Sequence, residues 1–115
     1  MNSTKLILEK INKFLSDKKA WDISILDLEN LTSISDYFII ANGSNKPHLK
    51  SLSEGIFKII KDNGSLQIGR FGTVESGWMI IDADGIMIHL FEEECRNYYD
   101  LEGLWGDAKR IYIGE

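Results

Sequence analysis

Apolar residues recur at helical spacing near the start of the chain. Four of them fall on one face of a helix over residues 3–17, at positions i, i+4, i+7 and i+8. They are Ile7, Ile11, Phe14 and Leu15. The lysines of this segment lie elsewhere on the helix, so the pattern predicts an amphipathic helix with one buried face.

A second helical pattern covers residues 45–62. Its apolar stripe consists of Leu49, Leu52, Ile56, Ile59 and Ile60. Pro47 suits the first turn, where a missing N–H costs nothing. Asn63-Gly64 predicts the end of the helix, since both residues tolerate the left-handed backbone conformation.

Shorter apolar runs predict strands. Trp21–Leu28 is one, and Tyr37–Ala41 is apolar on both faces, which places it inside the sheet. Trp78–Asp82 and Ile86–Phe91 flank Asp84-Gly85, a dipeptide that favours a two-residue hairpin turn. That turn predicts the pairs Ile81–Ile88, Ile80–His89 and Trp78–Phe91. One sheet face then carries Trp78, Ile80, Met87, His89 and Phe91.

The remaining segments are less regular. Residues 65–76 contain glycines and few long apolar side chains, which predicts a loop with a short edge strand around Leu66–Ile68. Glu92-Glu93-Glu94 suits the first turn of a helix that runs to about Tyr99. Asp100 can cap a short last helix that carries Leu101, Leu104 and Trp105.

The order of these elements predicts an α/β fold, a mixed β-sheet flanked by helices. The helix over residues 45–62 connects two strands of that sheet. A chain of 115 residues with 43% apolar content suits a single domain over residues 1–115.

The negative charge of the chain is concentrated in one segment. The net charge is −5, yet residues 1–74 hold ten basic and eight acidic residues. Residues 75–107 hold nine acidic residues and one basic residue, Arg96, a net charge of −8. Nucleic-acid binding needs clustered basic residues, so this segment favours a basic protein partner. A solvated acidic face without a partner is the simpler alternative.

The sequence predicts a cytoplasmic protein that does not enter a membrane. No apolar run approaches the ~20 residues that span a bilayer, and residues 1–10 do not form a signal peptide. Cys95 is the only cysteine, which excludes an intrachain disulfide and suits a reducing compartment. It is more typical of a small apolar residue on a helix than of a nucleophile.

One pattern suggests an enzyme. Gly43-Ser44 follows a strand, and Asp82 and Asp84 form an Asp-x-Asp pair that can bind magnesium for nucleotidyl transfer. However, 37 residues separate Ser44 from Asp82, whereas that chemistry needs the two motifs close together. The two histidines, His48 and His89, lack other ligands at metal-binding spacing, so we expect no metal site and no cofactor.

Residues 91–107 combine acidic residues with residue types that are enriched at the centres of interfaces. These residues are Arg96, Tyr98, Tyr99 and Trp105. The alternative is that the aromatic residues of this segment pack its helices onto the sheet.

Four stretches of the chain occur in an order and spacing that are typical of one protein family. They are Ser35–Ala41 with Gly43, then Gly77–Asp82, Ile88–Phe91 and Arg96–Asp107. On these stretches the chain resembles the Iojap-type ribosomal silencing factors, also called RsfS, over about residues 5–110.

The resemblance implies a fold similar to nucleotidyltransferases without their activity, hence no enzyme. It implies binding to the large ribosomal subunit on its protein L-fourteen, without direct readout of nucleic acid. Occupying that surface blocks joining of the small subunit and represses translation when nutrients are short. Family members often form homodimers, with the monomer as the ribosome-bound form.

The resemblance also predicts where the partner binds, because the family's partner-facing surface lies on the sheet and the adjoining C-terminal segment. The predicted binding residues are Trp78, His89, Phe91, Arg96, Tyr98, Leu104 and Trp105. Glu92-Glu93-Glu94 departs from the family, which is often less acidic there. Two other hypotheses stay open: a magnesium-dependent nucleotidyltransferase that uses Asp82 and Asp84, and a homodimeric scaffold without a ribosomal role.

Overall fold

A computed structural model describes residues 3–64, 68–83 and 85–111 of the chain. Helices and strands alternate along it in the order of an α/β protein. They are α1 (Ser3–Asp17), β1 (Trp21–Asp27), β2 (Tyr37–Asn42), α2 (Lys46–Asp62), β3 (Ile68–Thr73), β4 (Trp78–Ala83), β5 (Ile86–Phe91), α3 (Glu93–Tyr99), α4 (Leu101–Leu104) and β6 (Lys109–Ile111).

The strands form one six-stranded sheet in the order β3-β4-β5-β2-β1-β6. Strands β2 and β5 pair in parallel, and every other neighbouring pair is antiparallel. The predicted mixed sheet flanked by helices is therefore confirmed. The similarity to nucleotidyltransferases stays a prediction.

Strand β2 lies inside the sheet and is buried on both faces, as predicted. Side chains alternate between the two faces of a strand. Ile39 and Ala41 belong to a core shared with α1 and α2, whereas Phe38 and Ile40 belong to a smaller core on the opposite face. A strand of this kind needs an apolar cover on each side, which explains its unbroken apolar sequence.

Helices α1 and α2 cover one face of the sheet with the stripes that the sequence predicted. Leu49, Leu52, Ile56 and Ile60 of α2 are buried. The two helices approach closely at Gly55, where an added Cβ would overlap the ring of Phe14. Burial of this apolar surface, at roughly 25 cal/mol per Å², is the main source of stability on this face.

The ends of α2 follow from local chemistry. The side chain of Asn45 accepts a hydrogen bond from the His48 N–H at 2.9 Å, which caps the helix N-terminus. Pro47 lies in the first turn, as predicted. At the other end, Gly64 adopts the left-handed conformation with φ of 95°, whereas Asn63 does not.

The hairpin register is confirmed. Ile81 pairs with Ile88, and the five other pairs run from Trp78–Phe91 to Ala83–Ile86. Gly85 has φ of 87°, as the predicted turn requires. Asp84, the other predicted turn residue, lies outside the described residues.

Two strands differ from the sequence prediction. Residues 68–73 were predicted to be mostly loop, but they form β3, which pairs with β4 over six residues. The last strand, β6, was not predicted at all. Both are edge strands whose side chains are mostly exposed, apart from the partly buried Ile68 and Ile111, and pairing to a neighbouring strand holds them rather than an apolar pattern of their own. Leu66 lies outside the described residues.

Gly72 provides a test of the β3–β4 pairing. Its φ is 80°, and a Cβ there would overlap the Trp78 carbonyl oxygen. A left-handed conformation costs a non-glycine residue about 1–2 kcal/mol. Gly72→Ala should therefore lower the free energy of unfolding, measured by urea denaturation, by more than that amount.

Gly64→Ala is the matched control. Gly64 has φ of 95° with no atom within 4 Å of the added Cβ, so only the conformational cost applies. Equal losses of unfolding free energy in Gly72→Ala and Gly64→Ala would show that the close approach of Gly72 to the Trp78 carbonyl oxygen adds no cost of its own.

Candidate functional site

A line of aromatic rings runs across the sheet face opposite α1 and α2. Trp78 of β4 stacks on Phe91 of β5, with ring centroids 5.0 Å apart. On its other side Trp78 meets Tyr99 of α3 at 4.6 Å, and Tyr98 lies edge-on to Tyr99 at 5.0 Å. Tyr99 was not among the predicted binding residues. The stack joins the hairpin to α3.

The same line continues towards the centre of the sheet through His89. Its ring lies 4.5 Å from Phe38 and 5.9 Å from Trp78, and Phe38 meets Trp105 at 6.1 Å. Contacts between rings at such distances add about 0.5–1.5 kcal/mol each beyond burial. We define the aromatic surface as Trp78, Tyr98, Tyr99, Leu104 and Trp105.

The predicted binding residues divide into an outer and an inner set. Tyr98 is 81% exposed and Leu104 is 72% exposed. Trp78 and Trp105 are half-buried and pack on the smaller core. The inner set consists of His89, Phe91 and Arg96.

The inner set lies beneath the surface, so three of the seven predicted binding residues offer almost no exposed area in the isolated chain, and their role in binding stays a prediction. Phe91 is fully buried, and His89 and Arg96 are 3% and 5% exposed. The sheet, its aromatic neighbours and α4 cover them. In this structure these three residues support the aromatic surface from beneath.

His89 is an uncharged core residue. Its Nδ1 accepts a hydrogen bond from Trp78 Nε1 at 3.1 Å, which leaves the ring proton on Nε2. Burial lowers the pKa of His89 from 6.5 to about 4, because charge is unfavourable away from water. The bond also fixes the orientation of the Trp78 indole.

Arg96 of α3 is a buried cation with partners on three other elements. Its Nη1 donates to the Asp22 carbonyl oxygen and, at 3.0 Å, to Asn42 Oδ1. Its Nη2 donates to Ser24 Oγ at 3.3 Å. Two further bonds go to Glu102 of α4, from Nε at 3.0 Å and from Nη2 at 2.9 Å.

Glu102 completes the same network. Besides Arg96, it accepts bonds from Ser24 Oγ at 2.9 Å and from Arg110 of β6 at 3.0 Å. The Arg96 guanidinium holds the pKa of Glu102 below its usual value of 4.5, with Ser24 and Arg110 acting in the same direction. Desolvation opposes this shift and is outweighed.

Arg96 also stabilises an unusual turn of the backbone. Strand β1 is irregular between Trp21 and Ser24, and Asp22 has φ of 55°. Such a conformation is uncommon for a residue other than glycine. The Asp22 carbonyl oxygen that this conformation presents accepts a bond from Arg96.

The acidic segment is partly neutralised within the molecule. Glu102 is paired with Arg96 and Arg110, and Glu92 lies 3.9 Å from Lys46. The Asp100 side chain caps α4 by accepting a bond from the Gly103 N–H. Glu93 and Glu94 remain exposed in the first turn of α3.

The residues of the enzyme hypothesis do not meet. Ser44 follows the end of β2 that pairs with Phe91, whereas Asp82 pairs with Met87 four residues back along β5. At about 3.3 Å per residue, the sheet separates these positions by roughly 13 Å. Asp84 lies outside the described residues. Within residues 3–64, 68–83 and 85–111, no three His, Cys, Asp or Glu side chains are grouped to hold a metal ion.

Ser44 has a structural environment instead. Its backbone N–H and its hydroxyl both lie 2.9 Å from His48 Nδ1. The His48 Nε2 lies 2.7 Å from the Lys18 carbonyl oxygen, so this histidine ties the end of α1 to the start of α2.

A cleft of about 350 Å³ lies at the N-terminal end of α1 and does not involve the aromatic surface. Its lining consists of Thr4, Lys5, Leu8, Glu29, Asp36, Tyr37 and Ile111. None of the predicted binding residues lines it.

Among the helices of the described ranges, none has the length and apolar character needed to cross a membrane.

The described residues form an α/β fold with one mixed sheet, and helices α3 and α4 present exposed aromatic and aliphatic side chains, Tyr98, Tyr99 and Leu104, on one side of it. All of the chain, residues 1–115, matches the model of the family described as ribosomal silencing factor during starvation, RsfS. The protein belongs to this family, which confirms the resemblance seen in its sequence.

The relatives include proteins of bacteria, plants and a nematode. The chain is 34% identical over 105 residues to the ribosomal silencing factor RsfS of Bacillus subtilis, covering 90% of this chain and 88% of that protein. It is 26% identical over 104 residues to an Iojap-related mitochondrial protein of Arabidopsis thaliana, covering 87% of this chain and 56% of that protein.

Solved structures agree with the fold. A crystal structure of a Chromobacterium violaceum protein matches with a TM-score of 0.83 and 30% identity, covering 100% of this chain and 95% of that chain. A Bacillus halodurans protein matches with a TM-score of 0.80 and 24% identity, covering 95% of this chain and 99% of that chain.

The buried His89 predicts a specific pH dependence. The unfolded chain protonates this histidine near pH 6.5, whereas the folded chain does so near pH 4. Stability should therefore fall as pH drops below 6.5, by up to about 1.4 kcal/mol per pH unit, until the folded state also takes up the proton. Urea denaturation at pH 7.5, 6 and 5 measures this slope.

His89→Phe is the comparison. The substitution keeps an aromatic ring but removes the titrating group, so its share of the slope between pH 6.5 and 5 should disappear. The same slope in native protein and variant would mean that His89 is solvated in the folded state.

Proposed function

We propose that this protein is a ribosomal silencing factor that binds the large ribosomal subunit through its protein L-fourteen. Binding sterically blocks joining of the small subunit and represses translation under nutrient limitation. Membership of the RsfS family supports this proposal. The single structural observation that carries it is the exposure of Tyr98 and Leu104 on a tightly supported aromatic layer.

The aromatic surface has the composition of an interface centre. Tyrosine and tryptophan bury a large apolar area with few rotatable bonds, so they contribute strongly when a partner covers them. Tyr98 and Leu104 lie mostly in water in the isolated chain. Covering them removes apolar area from water, which favours association.

Charge around the aromatic surface supports a basic partner. Glu93 and Glu94 are exposed on the same helix as Tyr98. Acidic groups at the rim of an interface speed the approach of a basic protein and raise specificity more than affinity. Ribosomal proteins are basic because they sit on RNA, so the rim has the expected sign. We propose no direct readout of nucleic acid.

The proposed activity is steric and needs neither catalysis nor a cofactor. The described part of the chain has principal extents of 36 × 32 × 28 Å. A body of this size on the subunit interface excludes the small subunit from the same place. We propose that residues 1–115 act as a single domain in the cytoplasm.

We also propose that the protein forms homodimers. If two copies cover each other's aromatic surfaces, the dimer and the ribosome-bound monomer compete. Leu104→Ala should then weaken both self-association, measured by sedimentation equilibrium, and ribosome binding.

The direct test compares two leucine substitutions. Leu104 on α4 is 72% exposed, and Leu6 on α1 is 49% exposed in the opposite helix layer. Leu104→Ala should weaken binding to purified large subunits by about 30-fold, or ~2 kcal/mol, as expected for a residue at an interface centre. Leu6→Ala should bind like the native chain. Binding is measured by co-sedimentation at fixed salt.

A subunit-joining assay completes the test. Native protein should reduce the formation of complete ribosomes from separated subunits, and Leu104→Ala should do so only at higher concentration. Equal loss in both leucine variants would remove the aromatic surface from the proposal. A folded native chain that ignores large subunits at low salt would remove the ribosomal function.

A further inference from the structure

Helix α4 ends at Leu104 and is followed by Trp105, both of the aromatic surface, but it has little apolar attachment of its own. It is four residues long, and none of its side chains is buried. Leu101 and the adjoining Trp105 pack on the smaller core only partly. Helices this short are not stable alone in water. Something other than α4 itself must therefore hold Leu104 and Trp105 in place.

The polar attachment of α4 is much more specific. Glu102 accepts four hydrogen bonds, which come from Arg96 twice, Ser24 and Arg110. Through Arg96 the same carboxylate is linked to Asn42 on β2. The network thus joins α4 to α3 and to the three neighbouring strands β2, β1 and β6.

Burying a charge is costly unless it is paired and fully bonded. Arg96 is 5% exposed, and its bonds use Nε, Nη1 and Nη2 in one plane. A planar guanidinium donates in several fixed directions at once, whereas a lysine ammonium is a single point. The bonds therefore fix direction as well as distance. Displacing α4 would leave the buried cation without its carboxylate.

We propose that Arg96 is a positioning residue: its guanidinium locks Glu102, and with it Leu104 and Trp105, in the orientation that binds the partner. The proposal rests on the proposed function and deepens it. The sequence predicted Arg96 as a partner contact, because arginine is enriched at interface centres and the family's partner-facing surface lies on this segment. The structure places it beneath the aromatic surface instead.

The lock affects affinity through the population of the binding-competent state. When only a fraction of molecules has α4 in place, the apparent Kd rises by the inverse of that fraction. If α4 is in place in only one molecule in ten, the apparent Kd is therefore about ten times higher, although no contact atom has been removed. The same loosening exposes the α4 amides to exchange, whose rate rises with the fraction of molecules that have α4 displaced, so exchange gives a second readout of the same equilibrium.

Arg96→Lys is the main test, since it keeps the charge and removes the planar geometry. Large-subunit binding should weaken at least tenfold. Hydrogen exchange at the Leu104 and Trp105 amides, which donate to the carbonyl oxygens of Asp100 and Leu101, should accelerate towards the rate of unprotected amides. Exchange in the fully buried strand residues Ile39 and Ile88 should change less.

Arg110→Lys is the matched control. It makes the same chemical change in a second arginine that bonds to Glu102, but from the half-exposed side of β6. Water can replace its bond, so binding should change by less than threefold. A second control, Ile11→Val, lowers overall stability from the opposite core and should leave binding unchanged. If it weakens binding as much as Arg96→Lys, the effect of Arg96 is general destabilisation.

Glu102→Gln keeps the test decisive if Arg96→Lys does not fold. It removes the charge from a half-buried position, and it should loosen the same amides and weaken binding in the same proportion. If a folded Arg96→Lys or Glu102→Gln variant binds large subunits as well as the native protein does, the positioning role is overturned. Native protein that fails to bind overturns the proposed function instead, so the two failures are distinguishable.

The pH dependence gives an independent readout. Glu102 faces Arg96 of α3, Arg110 of β6 and Ser24 of β1, and the Asp22 carboxylate of β1 lies 4.0 Å from Arg96 on the far side of the guanidinium's bonds to Glu102. Because its folded pKa is lowered, its contribution is complete above its ordinary value of 4.5 and is lost as pH falls through the folded value. Protection of the α4 amides should fall below pH 4.5 by more in the native protein than in Glu102→Gln, since His89 titrates in both proteins and Glu102 only in the native one. An equal fall in the two proteins contradicts the proposal.

Discussion

The parallel pairing of β2 with β5 is the constraint on which the rest of the structure depends. Parallel neighbours cannot be joined by a tight turn, so the chain must leave the sheet after β2 and return by a long route. Helix α2 supplies the first part of that route and covers one face. The pair is buried on both faces, so the opposite face needs a cover too. That cover is α3 and α4 with their aromatic residues.

The second cover is built differently from the first. Helices α1 and α2 attach through continuous apolar stripes, whereas α3 and α4 attach through stacked rings and one buried ion network. Apolar packing tolerates small shifts, but a guanidinium with fixed partners does not. The face proposed to bind the ribosome is therefore the one whose geometry is set by directional bonds.

Much of the fold could be predicted because the local sequence pattern determines several of its helices, strands and turns. The stripes of α1 and α2, the doubly apolar β2 and the Asp84-Gly85 turn predicted the helices, the sheet interior and the hairpin register. Strands β3 and β6 could not be predicted, because their pairing partners, not their own side chains, determine them. The binding residues were predicted by type, and type does not reveal depth. Arg96 shows this most clearly, since a lone cation among nine acidic residues fits a contact or a buried pair equally well.

Strand β6 illustrates how a short segment can protect the rest of the sheet. It places Lys109 and Arg110 along the margin of the sheet beside β1. An unpaired sheet margin is a template on which strands of other chains can add, and positive charge there repels such addition. A protein that is proposed to bind a partner through one face benefits from sheet edges that do not bind other chains. Arg110, which bonds to Glu102, therefore also places a positive charge on this edge, where charge disfavours the addition of another strand.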